Sequence, residues 1–147
     1  MRHEKFARGM TLVELMVVIA IVAILASIAF PAYSRFTTQA NRTDATKTLQ
    51  MAAQALERCY SQRFTYLACN VSGAVMNNGS TMQTPNQFYT ITFAIPDKQD
   101  YTLTAVAIQA PQTGDIQCAQ FVMSSTGQWT AQDSHGNPTT KNCWGSN

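Results

Sequence analysis

Apolar and polar positions divide this chain into three stretches of different period. Residues 9–31 read Gly-Met-Thr-Leu-Val-Glu-Leu-Met-Val-Val-Ile-Ala-Ile-Val-Ala-Ile-Leu-Ala-Ser-Ile-Ala-Phe-Pro, an apolar run broken early by one carboxylate, Glu14. From Leu15 to Phe30 the only hydroxyl is that of Ser27. With Met10–Val13 the run reaches about twenty residues, and at 1.5 Å per residue it spans roughly 30 Å, the thickness of a bilayer core. Ala20, Ala23, Ala26, Ser27 and Ala29 are small enough for close helix–helix approach. Pro31 ends the run, and a proline inside a helix removes one hydrogen bond and kinks it. A helical period then resumes: Ala45, Leu49, Ala52, Ala53, Leu56 and Tyr60 share one face, with Asp44 and Lys47 on the opposite side. Arg42 stands at the head of that stripe, so the buried face is expected to begin after it. The pattern predicts one helix from about residue 11 to about residue 61, half anchor and half amphipathic cover.

Residues 62–87 show little period. Asn77-Asn78-Gly79-Ser80 and Thr84-Pro85-Asn86 signal turns, so this stretch reads as a loop with room for a short strand. Beyond it, Phe88–Ile95 and Tyr101–Ala110 alternate in strand fashion. Gln117–Ser124 and Gln128–Ala131 flank Ser125-Thr126-Gly127, a hairpin loop of the three-residue kind. The expected fold class is α+β, with an antiparallel sheet of about four strands whose apolar face the amphipathic half of the helix covers. The tail, 132–147, reads as irregular.

Composition changes the picture in two ways. Charged residues are only 12% of the chain, about half the usual share. Neutral polar groups replace them, with 18 Thr, 13 Gln and 8 Asn, a surface suited to close packing of similar copies. The four cysteines, Cys59, Cys69, Cys118 and Cys143, include no Cys-x-x-Cys pair, and only His3 and His135 are present to complete a metal site. With a membrane-directed N-terminus they read as two disulfides formed outside the cytoplasm. Of the three connectivities we favour the sequence-local Cys59–Cys69 and Cys118–Cys143; buried free thiols are the alternative. No metal or other cofactor is expected.

Charge is concentrated at the start. Arg2, Lys5 and Arg8 against Glu4 account for the net charge of +2, and the rest of the chain is balanced. Positive residues before an apolar segment keep that end in the cytoplasm. A charge inside a bilayer segment costs roughly 2.5–3.5 kcal/mol on insertion scales, so Glu14 needs a partner that the apolar run does not offer.

Gly9-Met10-Thr11-Leu12-Val13-Glu14-Leu15-Met16, behind a basic leader, resembles the leader and cleavage motif of type IV pilins and pseudopilins. The resemblance implies a prepilin peptidase cut between Gly9 and Met10 with N-methylation of Met10. It implies a leader at 1–9, a transmembrane and filament-core helix at 10–31, and a globular pilin domain at 32–147. Two positions depart from the family pattern: Met10 stands where Phe is usual, and Ala23 where a helix glycine is common. Arg42-Thr43-Asp44-Ala45, Leu56-Glu57-Arg58-Cys59-Tyr60 with Tyr66, the Gly127 hairpin and Cys143-Trp144 further resemble PilE-type minor pilins, in which Cys118 to Cys143 would bound the D-region.

The implied function is that of a structural minor subunit of a type IV pilus, serving assembly, twitching motility, adhesion or DNA uptake. Implied partners are major and minor pilin subunits, the peptidase and the inner-membrane assembly platform. The location is the inner membrane as a precursor, then the extracellular filament. A type II secretion pseudopilin is the alternative. DNA reception is a further one, with Arg58, Arg63, Lys98 and Lys141 as a weak basic patch and Tyr60, Tyr66 and Trp144 as stacking rings. Residues 32–147 carry seven basic and six acidic side chains, so scattered solvated charges are the simpler reading of that patch. Asp133-Ser134-His135 contains the letters of a catalytic triad, but adjacent residues on a turn do not reach catalytic geometry, and no enzyme is expected.

Overall fold

The computed structural model describes residues 10–144. The proposed cleavage residue Gly9 and the basic leader residues lie outside the described residues. Helix α1 spans Leu12–Arg63 and contains Pro31. Thr11 starts it: its carbonyl accepts from Leu15 N at 3.1 Å, and its hydroxyl accepts from Glu14 N at 3.2 Å. This is the N-terminal half of a Thr-x-x-Glu capping pattern, which satisfies an otherwise orphaned N–H. The Ser27 hydroxyl is satisfied within the helix by the Ile24 carbonyl, at 2.7 Å.

Two compact units divide the chain, the first ending at Phe36 and the second running Thr37–Asn147. In the first unit the large apolar side chains of the helix are exposed, from Met10 to Phe36. The helix is long and apolar enough there to cross a membrane.

The second unit holds a five-stranded antiparallel sheet in the order β3-β4-β5-β6-β7 and a separate hairpin β1-β2. The strands are β1 Cys69–Val71, β2 Ala74–Met76, β3 Thr81–Gln83, β4 Tyr89–Ala94, β5 Thr102–Ala107, β6 Gln120–Ser124 and β7 Trp129–Gln132. A short helix, α2 (Thr140–Cys143), follows. Alternation sorts the two sheet faces. Tyr89, Ile91, Phe93, Leu103, Ala105, Phe121, Met123 and Ala131 are buried with Ala45, Leu49, Ala52, Ala53 and Leu56 of α1. On the other face Thr92 pairs with Thr104, and Thr104 with Val122. Truncating a fully buried aliphatic such as Leu49 costs about 2–5 kcal/mol.

Four expectations are corrected. The 62–87 loop contains the β1-β2 hairpin and edge strand β3, so the main sheet has five strands rather than about four. The buried face of α1 begins at Asn41, before Arg42 rather than after it. Asp44 is half-buried rather than turned wholly to the opposite side, and its carboxylate accepts from Asn86 N at 3.2 Å. Tyr101–Ala110 leaves the sheet at Ala107, and the chain turns through a 3-10 segment, Gln112–Gly114, that begins after Pro111. The hairpin at Ser125-Thr126-Gly127 is as expected, with Gly127 at φ +73° donating to the Ser124 carbonyl.

The disulfides join Cys59 to Cys69 and Cys118 to Cys143, with Cα atoms 5.9 and 5.7 Å apart. In the loop-entropy account, closures of these lengths contribute about 3 and about 3.5 kcal/mol. The first ties the β1-β2 hairpin to the end of α1, and the second ties α2 to the segment before β6.

Candidate assembly helix and surface cluster

Glu14 sits in the first turn of α1. Its backbone N–H is capped by Thr11, but no hydrogen bond or ion pair reaches its carboxylate from any described residue. The positive end of the helix dipole favours a carboxylate here, by typically 0.3–1 kcal/mol at an exposed site. That is less than the cost of placing the charge in a bilayer, so the capping role does not replace an external partner. The capping pattern is legible in the sequence as Thr-x-x-Glu at residues 11–14, a local signal separate from the apolar period.

Where α1 enters the folded unit, two polar contacts fix it to the turn before β6. Arg42 and Asp115 form a two-point pair, Nε to Oδ2 and Nη2 to Oδ1, each 2.6 Å, with side chains 17% and 5% exposed. The hydrogen bonds that the guanidinium donates to Asp115 raise its pKa further, against the opposing effect of burial. Beside it, Gln112 is fully buried. Its amide donates to the Tyr89 hydroxyl at 2.7 Å and accepts from Asn41 at 3.3 Å. Sequence period alone does not find these groups, because their partners lie some seventy positions away.

The far end of α1 carries an aromatic and carboxylate cluster. The Tyr66 and Tyr101 hydroxyls both donate to Glu57 Oε1, each at 3.0 Å. The Tyr60 ring stacks on Tyr66 at 4.5 Å, and Tyr66 meets Tyr101 edge-on at 4.8 Å. Burial first, then the bond to Glu57, pushes the Tyr66 phenol up to about 12; the same two causes raise Tyr101. Because both folded-state values lie above the ordinary phenol value near ~10, this stabilisation is present below pH ~10 and is lost as pH rises through the folded values. Alkaline denaturation should therefore show stability falling from about pH 10 towards about pH 12. Glu57→Gln keeps an acceptor but removes the charge, and should flatten that fall. An unchanged slope in the variant would sever the link to Glu57.

The sequence-predicted surface residues separate into two places. Arg58 and Arg63 line one concavity of about 340 Å³ with Asn70. Arg63 also donates to the Ala68 carbonyl at 2.9 Å. The Lys98 carbonyl accepts from Tyr66 N at 3.0 Å, which places the Lys98 segment beside this end of the helix. Lys141 is not part of this group: it lines a separate concavity on α2. Tyr66, 4% exposed, is not available for stacking, and the Trp144 ring packs against Phe121 at 5.9 Å while its Nε1 donates to the Thr130 carbonyl at 2.7 Å. Within the second unit the exposed rings are instead Phe64 and Trp129, neither of which the sequence singles out. Phe64 occupies a left-handed conformation, φ +55°, where it closes the helix by donating to the Tyr60 carbonyl at 2.7 Å.

Asp133-Ser134-His135 forms a local turn. Asp133 Oδ1 accepts from the backbone N–H groups of His135 and Asn137, both at 2.8 Å. Hydrogen bonds from Asn137 hold its carboxyl below the usual range. The carboxylate is occupied with shaping that loop.

Residues 5–30 match the prokaryotic N-terminal methylation motif. Residues 31–122 match the family described as type IV minor pilin ComP, DNA uptake sequence receptor, over well more than half of the chain. An N-terminal helix left uncovered in its first unit and folded against an antiparallel sheet in its second has the form of the filament subunits those two matches describe, and the chain belongs to the type IV minor pilin family.

Proposed function

We propose that this minor pilin is held in the inner membrane by α1 and enters a type IV filament through pairing of Glu14 with the α-amine of a neighbouring subunit. The single observation that supports the pairing is the Glu14 carboxylate, on an apolar helix, without a partner among the described residues. A cut after Gly9 would create the complementary cation on Met10, four residues away and roughly 6 Å along the helix. The peptidase, the assembly platform and the other pilins are then its partners, and its role is structural rather than enzymatic. Mass spectrometry of sheared filaments should recover a chain that begins at N-methylated Met10, at low abundance beside a major subunit. A chain that retains its first nine residues would overturn the proposal.

DNA reception is the second reading. It is supported by the description of the matched family and by the convergence of Arg58, Arg63 and the Lys98 segment near the exposed Phe64. Phosphate contacts release counterions, so affinity should fall steeply with salt. Gel-shift titration of the full chain in detergent at two salt concentrations tests it. Arg58→Ala and Arg63→Ala should each reduce the salt slope by about 1. Retention of the native slope in both variants would place the DNA contacts elsewhere.

A further inference from the structure

Along one side of α1, Gln50, Gln54 and Arg58 recur every four residues, which sets them in a single row about 6 Å apart. This row faces Trp129 across a groove of about 630 Å³, within the roughly 300–1,000 Å³ typical of small-molecule sites. Met123, 7% exposed, lines the apolar part. Trp129 is 48% exposed, yet its ring is steadied by Trp144 with centroids 5.3 Å apart. Trp144 is itself anchored through its hydrogen bond to Thr130. Glu57 completes the lining, its carboxylate already oriented by two phenols.

We propose that this groove binds a neutral pyranose ring, such as the terminal hexose of a surface glycan. An aromatic face carries negative electrostatic potential and attracts the partly positive C–H face of a sugar. Sugar hydroxyls both donate and accept. The lining offers amides that do both, a guanidinium that donates and a carboxylate that accepts. Glu57 and Arg58 cancel in charge, and Arg58 makes no ion pair with a described residue, so its donors are free for a ligand. An anionic ligand would meet the Glu57 carboxylate, whereas a neutral polyol meets matched donors and acceptors.

The test uses the full chain in dodecylphosphocholine, a detergent without a sugar headgroup. Methyl glycosides of glucose, galactose, mannose and N-acetylglucosamine are titrated into nitrogen-15-labelled protein. At least one glycoside should give saturable shifts at the Trp129 indole and the Gln50 and Gln54 side-chain amides. Trp129→Ala and the solvent-exposed Gln54→Ala should each weaken that binding about tenfold; Lys141→Ala should leave it unchanged. Four outcomes overturn the proposal: no shift with any glycoside; shifts of equal affinity in Gln54→Ala; a shift with a DNA oligonucleotide but with no glycoside; and a Trp129 signal that moves on dilution of the chain alone, which would assign the groove to a second copy.

Discussion

Glu14→Ala leaves the chain in the membrane and lowers its incorporation into filaments by about tenfold or more. At 4 Å and an effective dielectric near 20, an ammonium and a carboxylate attract by about 4 kcal/mol. Desolvation takes back part of this, and a remaining difference of about 1.4 kcal/mol is a factor of ten. Insertion itself does not depend on Glu14, because the apolar side chains that drive it stay in place and one charge has been removed. Glu14→Gln separates charge from size. The amide keeps the shape but forms no ion pair, so it should fail with the alanine variant. The measurements are the chain's amount in sheared filaments, its resistance to carbonate extraction from membranes, and the mass of its N-terminus, which shows whether the cut proposed after Gly9 has taken place. Normal incorporation of either processed variant would remove the ion pair from the assembly step.

Asp115→Ala destabilises the folded unit by about 3–5 kcal/mol, the range seen when one member of a buried pair is removed and the other is left uncompensated. The guanidinium of Arg42 then loses both its contacts, and Cys118 N loses its acceptor at 3.4 Å. For a domain of this size the fall in Tm should be roughly 15 °C or more. The double replacement Arg42→Met with Asp115→Leu should recover much of the loss, because an apolar pair carries no desolvation debt. Thermal unfolding of the three variants with both disulfides intact decides the matter. A single variant that unfolds at the native temperature would show that Arg42 and Asp115 are effectively solvated. Arg42 lies next to Asn41, whose link through Gln112 to Tyr89 joins the helix to β4, so the same variant should also loosen this end of α1 in hydrogen exchange.

The apolar run, the helical stripe from Ala45 to Leu56 and the longer strands were readable in the chain because each repeats a local period over enough residues to stand out. The sequence-local disulfide pairing likewise agrees with the structure. Strands β1, β2 and β3 were not readable. Three residues each are too few to show alternation, and their pairing partners, not their composition, make them strands. The same cause hid Asn41 and Arg42: at the head of an apolar stripe a polar residue reads as solvated, and only the turn at Gln112–Asp115 gives it a buried partner. At the surface, residue type alone makes Tyr66 and Trp144 candidates for stacking rings, whereas packing buries the first and shields the second, leaving Phe64 and Trp129 as the exposed rings of the second unit. The sequence by itself determined the anchor, the position of its one acid, the fold class and the helix face that packs. Tertiary structure alone decided which polar groups are paired, which rings face water and where the groove lies, because these depend on distances between residues far apart in the chain that no local period encodes.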